Sequence, residues 1–164
     1  MSALNRRQRK DLGTKAKDPD EAMNSLVRLI AARGRSVHEA RKRLMEKGYS
    51  AESTAKAIER ALDCGLLDDQ RFAGGLIKDK LSAGWGSYRI DQELYYFGID
   101  KDAIEGYPSA FFSDEAQLEQ ALIALKRHRS RSKNPRQAAY RYLVSKGYSS
   151  DVASAAIKTS ASTQ

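Results

Sequence analysis

Gly84–Trp85–Gly86 opens half of the G-x-G-x-x-G pattern, in which glycines let a backbone approach a dinucleotide pyrophosphate. Arg89 stands where the last glycine belongs and no strand-like run precedes it, so these residues read as a flexible loop between helices. Asp18/Asp20/Glu21, Asp68/Asp69 and Asp100/Asp102/Glu105 could suggest Mg²⁺ ligands. Each group falls at a predicted helix start, where carboxylates accept from free N–H groups and suit the helix dipole, and capping accounts for them. Cys64 has no histidine near it in sequence and reads as a buried structural thiol. His38 lies in a capping turn and His128 in a basic run, too little for a zinc site. No G-x-x-x-x-G-K-[ST] occurs, so a P-loop is absent from the sequence. The residues point to recognition rather than catalysis, and no enzyme activity, metal or cofactor is expected.

Two groups suit recognition. Tyr88, Arg89, Tyr95, Tyr96 and Phe97 follow Trp85 closely, while Ile90 and Leu94 claim the inward seam of that helix. The surplus aromatics could line a partner groove or stack on bases. The second group is Arg127, Arg129, Arg131, Lys133, Arg136, Tyr140 and Arg141 around a helix start. The net charge of +8 is unevenly spread. Residues 1–17 hold six basic side chains against Asp11, and residues 126–164 hold nine against Asp151. The body between them carries 14 basic against 19 acidic side chains. Basic clusters attract phosphates or acidic surfaces, and salt weakens that attraction. Helix–glycine–helix corners suggest major-groove reading, but Glu52, Glu59, Asp63, Asp102 and Glu105 on the would-be recognition helices 51–64 and 101–112 would repel phosphates, so only the third unit has the right charge for it.

The elements that must hold these residues are helical. Only Pro19, Pro108 and Pro135 interrupt the chain, and no run alternates long enough for a strand. Asp18–Pro19–Asp20–Glu21 is a capping box with proline at the first helical position, and Ser36 with Glu39 repeats the box. Asp68 caps between Leu67 and Phe72, and Asn134–Pro135 starts another helix. Leu44-x-x-x-Gly48-Tyr49-Ser50 recurs as Leu94-x-x-x-Gly98-Ile99-Asp100 and as Leu143-x-x-x-Gly147-Tyr148-Ser149. Each glycine can end a helix in the left-handed conformation, and the Ser or Asp after it caps the next.

The period predicts an all-α chain of three tandem three-helix repeats stacked into an elongated, curved molecule. Helices are expected over 19–33, 37–47, 51–64, 69–82, 88–97, 101–112 (with a bend at Pro108 as the alternative to a straight helix), 114–129, 135–146 and 150–159. The apolar stripes are Leu26, Ile30, Leu44, Ile58, Leu62; Phe72, Leu76, Leu94, Ile104; and Leu118, Leu122, Leu125, Leu143, Ile157. The organisation expected is a flexible basic arm (1–17), modules over 18–66, 67–112 and 113–159, and a disordered tail (160–164). With 41% hydrophobic and 30% charged residues, no apolar run near bilayer length and one cysteine, a monomeric cytoplasmic protein without membrane contact is expected.

Gly65–Leu66–Leu67–Asp68–Asp69–Gln70–Arg71–Phe72–Ala73 resembles the most recognisable motif of the RecX family, bacterial regulators of the RecA recombinase. Gly84–Trp85–Gly86–Ser87–Tyr88–Arg89–Ile90–Asp91–Gln92–Glu93–Leu94, running on to Gly98–Ile99, resembles its second signature. Ser36-x-x-Glu39 with Lys47–Gly48–Tyr49, and Lys146–Gly147–Tyr148, are similar to its flanking units, so the likeness spans roughly residues 20–157. It implies stacked three-helix modules that bind RecA–single-stranded-DNA filaments and lower ATPase, strand-exchange and coprotease activities, damping recombinational repair and the SOS response. Ala83, Ser87, Asp91 and Phe97 depart from the pattern, which commonly has a basic residue or, at Ser87, proline. The resemblance therefore leaves Arg89, Tyr88, Tyr95, Arg127, Arg129, Arg131, Lys133, Arg136 and Arg141 as filament- or DNA-binding candidates. Weak direct nucleic-acid binding, and competition for single-stranded DNA, form the alternative reading.

Overall fold

The computed structural model describes residues 18–162, so the predicted arm over 1–17 lies outside the described residues. Those residues form α1 (Pro19–Ala32), α2 (Val37–Glu46), α3 (Ala51–Asp63), α4 (Asp69–Ser82), α5 (Ser87–Tyr96), a 3₁₀ turn (Lys101–Ala103), α6 (Asp114–Arg127), α7 (Pro135–Ser145) and α8 (Ser150–Ser162). No strand occurs among them. They divide into two compact units, 18–72 with 97–99, and 73–96 with 100–162.

In the first unit the caps act where the sequence places them. Asp18 accepts from Asp20 N (2.9 Å), Ser36 from Glu39 N (3.1 Å) and Ser50 from Ser53 N (3.0 Å), starting α1, α2 and α3. Gly48 ends α2 at φ +88°. Its N–H meets Met45 O (2.9 Å) and the next N–H, from Tyr49, reaches back to Leu44 O (3.3 Å). This is the Schellman pattern, and it satisfies carbonyls that the helix end leaves open. The turns bring Leu26, Leu44 and Ile58 together with Ala22, Ala40, Ala57 and Ala61, all 2% exposed or less. Burying each large aliphatic side chain contributes about 1.5–3 kcal/mol. Leu62, expected in this stripe, is 45% exposed because Ala57, Ile58 and Ala61 occupy the inward positions of α3. Cys64, expected buried, lies exposed at the C-cap of α3.

In the second unit α6, α7 and α8 repeat the same design. Ser113, Asn134 and Ser149 cap through Ala116 N (3.1 Å), Gln137 N (3.1 Å) and Val152 N (3.2 Å). Leu143, Tyr148 and Ile157 pack among Ala121, Ala124, Ala153 and Ala156. Within the same unit Ile77 of α4 and both Ile90 and Leu94 of α5 are fully buried.

The helix expected over 101–112 does not form. Asp100 caps a single 3₁₀ turn through Asp102 N (3.0 Å), and the chain continues as turns to Phe111. Gly106 sits at φ +73°, and Pro108 lacks an N–H and steers Tyr107 away from helical geometry. Tyr107 packs instead on Phe111 and Phe112, with ring centroids 5.8 and 5.6 Å away. At the other end α8 runs on to Ser162, so residues 160–162 are helix where a tail was expected.

Candidate functional site

The most recognisable motif, Gly65–Ala73, builds a joint in the first unit. Asp68 caps α4 by accepting from Arg71 N (3.0 Å), and Arg71 Nη2 donates to Gly65 O (2.9 Å) rather than to a carboxylate. Asp69 reaches across to the start of α2, where its Oδ1 accepts from Val37 N (2.8 Å). Burial pushes the Asp69 carboxyl above its ordinary range, and the Asp68 charge adds to the rise while the Val37 N–H opposes it. Ser36, fully buried, both caps α2 and donates its hydroxyl to Phe97 O (2.7 Å). Phe72 meets the Phe97 ring edge-on at 5.3 Å. Gly98, at φ +69°, lies under His38, where an added Cβ would come within 2.4 Å of the imidazole Cγ.

Asp69→Asn should therefore keep the bond to Val37 and remove the burial penalty on the charge. Asp69→Ala should lose the bond and about 1–2 kcal/mol. The native carboxyl is raised, so the fold binds the proton more readily than the unfolded chain. Its contribution is greatest below the ordinary carboxyl range and falls as pH rises through the folded pKa. Denaturant titrations from pH 3 to 7 should show that slope in the parent and not in Asp69→Asn.

The second signature makes an equivalent joint in the second unit. Gly86, buried, donates its N–H to Lys146 O (2.8 Å), and Tyr88 N–H reaches Gly147 O (3.1 Å). Tyr148 hydroxyl donates to Gly84 O (3.1 Å); burial first, and Tyr142 second, push this phenol up to about 12. Trp85, expected in a flexible loop, carries two cations over its ring, Lys80 Nζ at 4.1 Å and Arg89 Cζ at 3.7 Å from its centre. Lys80 also pairs with Glu93 (2.7 Å). Asp91 accepts from Lys101 (2.8 Å) and from the Tyr107 hydroxyl. Ile90 and Leu94 are core, so most of the signature positions the helix.

The surface candidates separate into two groups. Tyr88, Tyr95 and Tyr96 of α5 are 61%, 85% and 72% exposed, whereas Arg89 is half-buried against Trp85. The charges beside the tyrosines are internally paired as Lys80–Glu93 and Lys101–Asp91. Arg127, Arg129, Arg131, Lys133, Arg136 and Arg141 are all exposed on and between α6 and α7. His128, the C-cap of α6, stacks on Tyr142 at 4.0 Å and 14°, and its Nε2 has no hydrogen-bond partner among the described residues. Sequence reasoning missed Lys80 and the Trp85 stack. The Lys80–Trp85 spacing, one helical turn plus a corner, is the signal that could have found them.

Comparison with known proteins places this architecture. Family models match at two stretches, the first three-helix domain of RecX over residues 22–60 and the second over 68–106. "Regulatory protein RecX" of Actinobacillus pleuropneumoniae is 30% identical over 130 residues, which cover 79% of this chain and 86% of that protein. The chain belongs to the RecX family. Two Clostridium botulinum RecX proteins are 30% and 33% identical over 80% and 73% of the chain. The chain spans only 65% and 59% of their lengths. The crystal structure of RecX from Lactobacillus salivarius superposes with a TM-score of 0.74 at 20% identity, over 88% of this chain and 97% of that one. That likeness establishes the RecX fold, tandem three-helix domains without strands among the described residues.

Proposed function

We propose that this chain is a non-enzymatic, cytoplasmic regulator that binds RecA–single-stranded-DNA filaments and lowers ATPase, strand-exchange and coprotease activities. Recombinational repair and the SOS response would be damped in consequence. Its relatives are named regulatory proteins, and the observation that carries the reading is the pairing of two unlike surfaces within the second unit. The tyrosine face of α5 has its neighbouring charges paired and suits a protein; the cations of 126–141 have no acid among them and suit phosphate. A filament of protein on DNA offers both partners at once. No helix among the described residues is long and apolar enough to cross a membrane.

The test is single-stranded-DNA-dependent ATP hydrolysis by RecA, with this chain titrated in while DNA sites stay in clear excess. Inhibition at substoichiometric protein is the expected result, since too little is present to cover the DNA. The run of cations favours a second reading, competition for DNA. Inhibition that begins only at saturation and disappears when DNA is added would replace the first reading with the second.

A further inference from the structure

Between α6, α7 and α8 lies an open groove of about 640 Å³. Its walls include Leu122 and Leu125 of α6, Ala139 of α7 and Ile157 of α8, with Lys126 and Arg136 also lining it. A second hollow of about 420 Å³ shares Arg136 and Ile157 and adds Tyr140 and Asn134. Arg136, in the first turn of α7, thus belongs to both. Lys126, Arg127, Arg129, Arg131, Lys133 and Arg136 are exposed, and none of them pairs with a carboxylate among the described residues.

A ligand for this groove must combine an apolar body with negative charge. Arginine forks match phosphate oxygens, and an apolar slot accepts the face of a base whatever its hydrogen-bonding edge. A paired base inside a duplex cannot enter such a slot without leaving its stack. We propose that the groove takes one nucleotide of a single strand, its base against Leu125, Ala139 and Ile157 and its phosphate on Arg136 and Lys126. The site goes beyond the filament reading and does not depend on it, since it needs no recombinase. An acidic peptide could also satisfy the cations. The apolar wall is made of short steps on three helices (Leu122 and Leu125, Pro135 and Ala139, Ile157 and Ala161), which suit a flat ring better than the long apolar stripe of a docked helix.

The experiment compares two fluorescent strands of equal length and charge, oligothymidylate and an abasic strand, by anisotropy at fixed salt and without RecA. The unaltered chain should bind oligothymidylate about tenfold more tightly, the contribution expected for one seated base. Ala139→Trp fills the groove and should bring oligothymidylate down to the abasic affinity while leaving the salt slope unchanged. Arg136→Ala should weaken both strands. Equal affinity of the unaltered chain for the two strands, or no binding of either, overturns the proposal, and so does preference for a polyglutamate peptide over both. The decisive comparison uses the unaltered chain, so a variant that fails to fold cannot protect the idea. With no recombinase in the assay, its outcome is also separate from that of the ATPase titration.

Discussion

Gly86→Ala should lower stability by about 3 kcal/mol, at the upper end for overpacking. The new Cβ would lie 2.4 Å from Gly147 C, Gly147 O and Tyr148 N. All three are main-chain atoms, so no side chain can rotate out of the way. Relief requires the two segments to separate, which pulls apart Gly86 N–Lys146 O and Tyr88 N–Gly147 O. Each of those bonds contributes about 1 kcal/mol net. Gly74→Ala is the control. That glycine lies inside α4 with nothing within 4 Å of its would-be Cβ, so the same chemical change should stabilise. The expected gain is up to about 1 kcal/mol, the difference in helix propensity. For a chain of this size 1 kcal/mol moves the melting temperature by about 2–4 °C, so thermal melts should shift in opposite directions. A Gly86→Ala protein that melts with the parent would show that the joint yields.

Replacing Arg127, Arg129, Arg131 and Lys133 together by glutamine should weaken single-stranded-DNA binding about a hundredfold or more at low salt. Each phosphate contact on a single strand contributes about 0.7 to the slope of log affinity against log salt, so four lost contacts flatten it by about 3. The fold should survive, because these side chains are exposed and make none of the ion pairs that tie other helices. Anisotropy over a salt series measures the slope, and the ATPase titration reads the consequence for RecA. Inhibition that persists in this variant assigns the main contact to the protein side, with the tyrosines of α5. Inhibition lost in parallel with DNA binding assigns it to the strand.

The helix starts and corners were legible because their signals are local. Asp18–Pro19, Ser36–Glu39 and Asn134–Pro135 need only the next few N–H groups, and all three cap where expected. The glycines at 48, 98 and 147 all take positive φ, as a corner requires. The stretch 101–112 misled because its apolar spacing is helical while Gly106 and Pro108 oppose a helix, and in so short a segment the backbone prevails. What the motifs do was not legible at all. Ser36 meets Phe97 and Gly86 meets Lys146 across some sixty residues of chain, and nothing near Ser36 or Gly86 announces the partner. Trp85 looked like part of a loose loop for the same reason: its cations come from the helices on either side of it. The groove beside Arg136 likewise depends on three helices converging, which spacing within one helix cannot reveal.

The first unit is completed by Phe97–Ile99, although the helix leading into them belongs to the second. The segments are interleaved, so the chain cannot be cut into independent pieces. A fragment limited to 22–60 would carry Ser36 without its carbonyl, and one ending at residue 72 would leave the edge of Phe72 facing water in place of Phe97. The two halves should therefore denature in one cooperative transition, with calorimetric and van't Hoff enthalpies in agreement. Proteolysis should find no stable intermediate the size of a single three-helix domain.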